Sequence, residues 1–517
     1  MKKIEFDLII IGGGATGSGI ALDASLRGLK VALFEQNDFG EGTSSRSTKL
    51  VHGGVRYLEA AVKKLDKSQY ALVKEGLKER KLFLDNAKHL AHAIELITPL
   101  YRWWEVPYVY AGLFLYDLIT GKASLGRSKL LSRSKALSLN PAINDKGLKA
   151  AVSYYDGAFN DSRMVIALLQ TAEANGASVH NHHQVTSLHK KEGALSGITV
   201  LDKLAGEEKR FHASVILNAT GPFVDTIRQM DDPTSTPMIQ ASSGIHIIVE
   251  SKFLPSPKGI MIPETSDGRV LFVLPYQGKC MIGTSDNPST LVEHPEVSEA
   301  EIGYLLENVN RYFGIKVTPE DILGRFCGLR PLLIQESTED TAMLVREHIE
   351  TFSSSGLLTI AGGKWTSYRS MAESAVDMIL QKLGKSLQTH PCLTEHYPVV
   401  GSQNLPTKDT LPQALRERYG DQASKVIEIA TREKTAERLH PDLEVSKAEL
   451  CYCIRHEYVR KPLDFIVRRI NLGLIDQQLS SEILHRVCIV LQEELAISDD
   501  KIQLLEDESH KILEKGI

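Results

Sequence analysis

The sequence predicts an α/β chain with a helical tail: a discontinuous dinucleotide-binding domain of Rossmann-like type, a mixed-sheet domain threaded through it, and a helical C-terminal domain. Three observations predict this. A strand, a glycine turn and a helix follow one another at the N-terminus in "FDLIIIGGGATGSGIALDASLRG". Two further strand-to-turn junctions, "ASVILNATGPFVD" and "LLTIAGGKWTSYRSMAE", recur far downstream with β-rich segments between them. From about Thr394 strand signals fade, and helical apolar spacing dominates in "AELCYCIRHEYVRKPLDFIVRR" and "SEILHRVCIVLQEEL".

The N-terminal unit reads element by element. Asp7 to Ile11 is a β-branched run suited to a strand covered on both faces, Gly12 to Gly17 form the turn, and Ser18 to Gly28 has helical spacing through Ile20, Ala21, Ala24 and Leu26. Gly12 permits the tight turn, Gly14 lets the backbone approach a pyrophosphate, and Gly17 allows close packing. The helix N-terminus adds N–H donors and positive dipole charge. A second strand, Lys30 to Glu35, ends in the carboxylate that accepts hydrogen bonds from a ribose in such folds. An isolated glycine triplet is a weak signal, but strand, turn, helix, strand and acid in order point to a bound dinucleotide.

The next segment separates two nucleotides. A nicotinamide domain continues with further αβ units, whereas here the second strand runs into "GTSSRSTKLVHGGVRYLE", residues 42–59. Its hydroxyls and glycine pair place donors close to the backbone, which suits a phosphate-bearing ligand; Arg46, Lys49 and Arg56 by themselves read equally well as a solvated face. This insertion favours FAD over NAD. The junctions at Ala219-Thr220-Gly221 and Gly362-Gly363 resemble the flavin-fold pattern of the glycine oxidase and amino-acid oxidase superfamily. Each brings backbone N–H groups to a strand's carboxyl end, where ligands bind in open α/β sheets, so Ala219, Gly221 and Gly363 are candidate cofactor contacts. The expected FAD-binding domain comprises residues 1–70, 150–230 and 355–385. A substrate domain takes 71–149 and 231–354, including "SSGIHIIVE" and "RVLFVLPYQGKCMIGTSD", and the helical domain takes 390–517.

Bulk properties narrow the class. A chain of 517 residues, 42% hydrophobic and 24% charged, is long enough for several cores and carries no disordered tract. A net charge of −5 gives no nucleic-acid signature, so an anionic ligand must be met by a local basic site. The six scattered cysteines, with Cys451-Tyr452-Cys453 lacking paired zinc spacing, read as reduced thiols in a cytoplasmic protein, and no metal site is expected. Glu5 and Asp7 interrupt the N-terminal apolar run, which reads as a strand rather than a signal peptide. The apolar segment Val106 to Ile119 contains Pro107 and Asp117 and falls short of the ~18 residues of a spanning helix.

Taken in order, "IIGGGATGSGIALDASLRG", "TSSRSTKLVHGGVRYLE", "LNATGPFVD", "GLRPL" and "GGKWTSYR" closely resemble the FAD-dependent glycerol-3-phosphate dehydrogenases over most of the chain. The resemblance implies oxidation of sn-glycerol 3-phosphate to dihydroxyacetone phosphate, with electrons passing from FAD to a membrane quinone. It implies that Thr43, Ser44, Ser45, Ser47, Lys49, His52 and Gly53 cradle the flavin, and that Arg56, Tyr57, Arg330, Arg346, Lys364 and His246 line the substrate pocket. Arg46 matches no motif position and is expected on the surface. The chemistry agrees: a small phosphorylated alcohol needs cations, and Arg330, Arg346 and Lys364 lie beside strand ends or turns, although each alone reads as a surface salt bridge. His246 is the candidate base, since an imidazole titrates near neutrality. Arg330 is the alternative, steering a developing alkoxide electrostatically. A soluble oxidase that reduces oxygen to hydrogen peroxide and a non-catalytic flavin-binding protein are competing readings.

Lys122, Arg127, Lys129, Arg133 and Lys135 follow the aromatic, apolar stretch "RWWEVPYVYAGLFLYDLI" without an intervening acid. Aromatics resting at headgroup depth beside basic residues predict a patch on the cytoplasmic face of the cell membrane; the competing expectation is an insertion packed on its own core. His456, Glu457, Arg468 and Arg469 are expected to form a structural polar network. Association into a homo-oligomer stays open.

Overall fold

The computed structural model describes residues 5–53, 67–334, 348–405 and 411–517. Its first sheet has five parallel strands in the order Leu357–Gly362, Glu207–Asn218, Phe6–Ile11, Val31–Phe34 and Ser178–His180, with His348–Phe352 antiparallel on the outer edge. Phe6–Ile11 is apolar on both faces because both are covered. Leu8 and Ile10 meet the helices Ala15–Leu26, Asp161–Ala174 and Tyr368–Lys382, while Ile9 and Ile11 meet Val185, Ile198 and Val200 of an antiparallel ribbon. The chain leaves the central strand to one side through Val31–Phe34 and returns on the other through Glu207–Asn218. This topological switch opens a crevice at the carboxyl ends, where Ile11 pairs with Asn218.

The second, ten-stranded sheet is built around Ile239–Val249, which pairs antiparallel with Lys279–Gly283 and with Ile322–Leu333. It extends to Ala91–Leu100, Ala150–Phe159 and the short strand Leu50–Val51. Leu357–Gly362 pairs with Glu207–Asn218 in the nucleotide sheet, inside the expected 355–385 segment. Two expected boundaries move. Ala150–Phe159 belongs to the ten-stranded sheet, so the nucleotide unit resumes at Asp161. The helix Lys67–Asn86 brings Phe83 into the nucleotide core rather than the cap. In each case periodicity shows a strand or helix but not which neighbour completes its hydrogen bonds or apolar face.

The tail is helical, through Lys447–His456, Gln477–Leu495 and Asp499–Lys515 among others. It is tied to the nucleotide domain by buried ion pairs: Arg163 with Glu457, and Arg468 and Arg469 with Asp38 at 2.5 and 2.7 Å. The network predicted around Glu457, Arg468 and Arg469 is therefore an inter-domain clamp. Asp38, His182 and Asp464 come close enough together to hold a metal ion, but the two arginines already engage both carboxylates. All six cysteines are free.

The apolar segment of 106–119 forms the helix Glu105–Thr120. One side of it packs on the core through Val106, Val109 and buried Leu113, while Phe114 is 62% exposed, as are Trp103 at 68% and Trp104 at 62% just before the helix. Among the described residues no helix is long and apolar enough to cross a membrane.

Candidate active site

The nucleotide crevice is shaped by the first glycine turn. A Cβ at Gly17 would lie 2.0 Å from the Gly12 carbonyl oxygen, so only glycine lets the helix start this close to the strand. At the helix N-terminus the Ala15 N–H donates to Ser44 Oγ at 2.9 Å, and a Cβ at Gly14 would come within 2.9 Å of that same oxygen. The turn and the 43–45 segment thus enclose a narrow, donor-lined cradle of the size and polarity a pyrophosphate requires. Glu35 lies where the fingerprint places it. Its two oxygens accept the N–H groups of Gly13 at 2.7 Å and Asn37 at 3.0 Å, leaving further lone pairs for a ribose. Burial pushes the Glu35 carboxyl up, opposed by those two N–H groups.

Across the crevice, the inserted segment is anchored on three sides. Thr43 Oγ1 donates to the Leu329 carbonyl at 2.5 Å, the Trp365 indole N–H donates to the Ser44 carbonyl at 3.0 Å, and Ser47 donates through N–H and Oγ to Asp161. Gly12, Gly14, Glu35, Thr43 and Ser44 line one continuous cavity of about 2140 Å³, as do Ala219, Gly221 and Gly363. The residues present therefore fit FAD.

The same cavity runs on to the second sheet, where His52, His246, Arg330 and Lys364 line it. Arg330 is held by Asp286 at 3.0 Å and by the Ser285 carbonyl, and its guanidinium lies over Gly244, where a Cβ would approach it to 2.7 Å. Asp286 also accepts a hydrogen bond from Ser242. His246 is buried, stacks on Phe326 with ring centroids 4.7 Å apart, and shares a 3.0 Å hydrogen bond between Nε2 and Thr48 Oγ1. Burial, then the charges of Lys49 and Arg330, hold its pKa well below the usual value, so the ring is uncharged at neutral pH. His52 is different: its ring is partly open to the cavity, and Nδ1 lies 2.8 Å from Asp156. Arg80 pairs with the other oxygen of Asp156 at 3.0 Å. Burial pushes the Asp156 carboxyl up, but His52 and Arg80 outweigh it and hold it below the usual range.

Several expected residues are placed otherwise. Lys49 does not reach the crevice; its ammonium turns inward to Asp161 and the Ser45 carbonyl. Ser45 is buried behind the cradle, and the Gly53 N–H donates to Asp156 instead of facing a ligand. Ser47 lines the cavity with its hydroxyl committed to Asp161. Arg46, expected on the surface, is 4% exposed and donates to the Cys327 carbonyl at 3.2 Å, because the insertion is pressed between the two sheets. Arg56, Tyr57 and Arg346 lie outside the described residues. Thr48, Asp156, Asp161 and Asp286 escaped the sequence reading. An acid inside the apolar strand "AAVSYYDGAF" was the one visible signal, since a buried carboxylate requires a partner.

A nucleotide cradle at a topological switch, opposed by a mixed sheet across one cavity, defines the class as a flavin-dependent oxidoreductase. The FAD dependent oxidoreductase family (DAO) matches residues 7–369, and the C-terminal domain of alpha-glycerophosphate oxidase matches residues 392–502. Within that class, the chain belongs to the FAD-dependent glycerol-3-phosphate dehydrogenase family. It is 42% identical to the mitochondrial glycerol-3-phosphate dehydrogenase SDP6 of Arabidopsis thaliana, over 94% of this chain and 82% of the relative. It is 41% identical to the mitochondrial glycerol-3-phosphate dehydrogenase of Bos taurus, over 96% of this chain and 71% of the relative. The crystal structure of the Bacillus halodurans glycerol-3-phosphate dehydrogenase complexed with FAD superposes with a TM-score of 0.81 at 28% identity, covering 100% of this chain and 95% of that one. The cofactor is FAD.

Proposed function

We propose that this enzyme oxidises sn-glycerol 3-phosphate to dihydroxyacetone phosphate and passes the electrons to a membrane quinone. The observation that carries the reading is the cavity that joins the FAD cradle to Arg330, Lys364, His52 and His246. Arg330, oriented by Asp286, and Lys364 present positive charge to the phosphate and the C2 oxygen; Arg56, Tyr57 and Arg346 join them on the strength of the family motif. Bound FAD supplies the two-electron acceptor for the C2 hydrogen. His246 is the base the sequence suggests. The geometry favours His52 for that role, because Asp156 engages Nδ1 and leaves Nε2 as the ring nitrogen for a substrate hydroxyl. His246, uncharged and already bonded to Thr48, serves as a neutral hydrogen-bonding partner.

The quinone and membrane parts of the proposal rest on the helix Glu105–Thr120. Trp104, Tyr108 and Val109 line the cavity, while Trp103, Tyr110 and Phe114 are exposed. An apolar acceptor entering among these aromatics from a bilayer would reach the cavity that holds the flavin. Exposed Arg127, Lys129, Arg133 and Lys135 suit the anionic inner face of a cell membrane.

Anaerobic titration of the FAD-loaded protein tests the substrate. Glycerol 3-phosphate bleaches the flavin, and glycerol and amino acids do not; a flavin left oxidised by glycerol 3-phosphate overturns the proposal. Hydrogen peroxide formed in step with substrate oxidation in air would replace quinone by oxygen.

A further inference from the structure

Lys49 is almost fully buried, carries a positive charge that the cofactor cradle does not use, and sits at a backbone φ of 60°, in the left-handed region that lysine rarely adopts. Such a conformation persists where surrounding contacts over-determine it. Here they do. The ammonium donates to both oxygens of Asp161 at 2.7 Å and to the Ser45 carbonyl at 2.5 Å, the Lys49 N–H donates to Ser47 Oγ at 3.0 Å, and the Lys49 carbonyl accepts the Phe159 N–H at 3.0 Å. Asp161 opens the helix Asp161–Ala174, where the helix dipole favours a negative charge. It also takes the Ser47 N–H and hydroxyl, so both residues flanking Thr48 are bound to one carboxylate.

Thr48, between them, is the residue that meets His246 Nε2 at 3.0 Å. The Lys49 ammonium lies 5.2 Å from the centroid of the Phe326 ring on which His246 stacks. We propose that Lys49 and Asp161 form a positioning pair for His246: the ion pair pins Thr48 against the imidazole and keeps a fixed positive charge beside the ring, so that His246 meets the substrate as an uncharged partner in one orientation. This rests on the reading that His246 faces glycerol 3-phosphate. The charged groups bearing on the ring are Lys49 from the insertion and Arg330 from Ile322–Leu333; behind Lys49 stand Asp161, Arg46 and, from Leu271–Tyr276, the ring of Tyr276 at 5.9 Å. Both cations act in one direction, against a proton on His246.

The test uses FAD-loaded wild type, Lys49→Met, Lys49→Arg, Asp161→Asn and Lys49→Met/His246→Asn. Two readouts are followed: the rate of anaerobic flavin reduction by glycerol 3-phosphate from pH 5.5 to 8, and the His246 signal in protein labelled at histidine Cε1, assigned against His246→Asn. In wild type and Lys49→Arg the His246 signal stays constant over this range. In Lys49→Met the His246 signal moves from its wild-type position and flavin reduction slows at least fivefold, because Thr48 is no longer held against the ring. In Lys49→Met/His246→Asn the loss is no greater than in His246→Asn alone. Asp161→Asn, which withdraws the carboxylate that Ser47 and Lys49 share, loosens Thr48 and slows reduction in the same sense. It decides the matter if Lys49→Met fails to bind FAD. A His246 signal at its wild-type position with a wild-type rate in folded Lys49→Met, or a wild-type rate in Asp161→Asn, overturns the proposal. Wild-type flavin that glycerol 3-phosphate does not reduce overturns the substrate reading instead, and the histidine signal still reports on the pair.

Discussion

Glu35→Gln replaces a buried carboxylate that accepts two backbone N–H groups, from Gly13 at 2.7 Å and from Asn37 at 3.0 Å, with an amide that has a single oxygen. Whichever N–H keeps that oxygen, the other faces an NH₂ donor. A hydrogen bond to a charged group contributes about 1.5–3 kcal/mol. The raised pKa of Glu35 shows that burial already offsets part of the benefit of its charge, which points to the lower end of that range. Because the Gly13 bond also holds the first turn in place, a loss of about 1.5–2 kcal/mol passes directly to FAD. At ~1.4 kcal/mol per factor of ten, FAD affinity falls roughly 10- to 30-fold. Titrating the apoprotein with FAD and following quenching of flavin fluorescence measures this. A folded Glu35→Gln protein that binds FAD within about twofold of wild type would refute the role given to the carboxylate.

Arg330→Ala removes a charge-assisted contact in the proposed substrate site and raises KM or lowers kcat by more than about tenfold, with FAD retained; steady-state kinetics with a soluble dye acceptor and the flavin absorbance check both halves. Arg469→Met strips a partner from buried Asp38 and destabilises the fold by about 3–5 kcal/mol, part of which Arg469→Met/Asp38→Asn restores in urea unfolding. Burial lowers the His89 pKa from 6.5 to about 3. The unfolded chain therefore takes up this proton first, and the stability is fully present above pH 6.5 and lost as pH falls towards 3, at up to about 1.4 kcal/mol per pH unit. Urea midpoints that fall no less steeply between pH 7 and 5 in His89→Gln would contradict it. Reversing the charges of Arg127, Lys129 and Arg133 weakens binding to anionic vesicles and quinone-linked turnover while dye-linked turnover persists, an effect that shrinks in high salt; unchanged vesicle binding at low salt removes the patch.

The nucleotide cradle was the most legible part of the site. Gly12, Gly14 and Gly17 act through backbone geometry, and the Glu35 carboxylate accepts N–H groups of the same βαβ unit, and such local demands show in the order of residues along the chain. The exposed aromatics of the helix Glu105–Thr120 and the residues just before it were half legible: composition showed an apolar, aromatic segment, and only the fold shows that Trp103 and Phe114 face outward. The domain boundaries at Ala150–Phe159 and Lys67–Asn86 were not legible, since a strand or helix carries no mark of the sheet or core it will join.

Taken alone, the sequence determined the class of nucleotide site, the presence of a mixed sheet and a helical tail, and, through its motifs, the FAD-dependent family. The tertiary structure decided what the charged and titratable residues do. Lys49 meets Asp161 across 112 positions, His52 meets Asp156 across 104, and Arg46 meets the Cys327 carbonyl across 281. Read in sequence, Lys49 belongs to a flavin-binding motif and Arg46 to the surface; in the fold both are buried, Lys49 paired with distant Asp161 and Arg46 bonded to a distant carbonyl. The reason is physical. A glycine's or a capping residue's requirement is local to its own turn, whereas the role of a charge is set by desolvation and by the opposite charges the fold brings within about 4–6 Å, and those distances come into existence only when the two sheets close on one another.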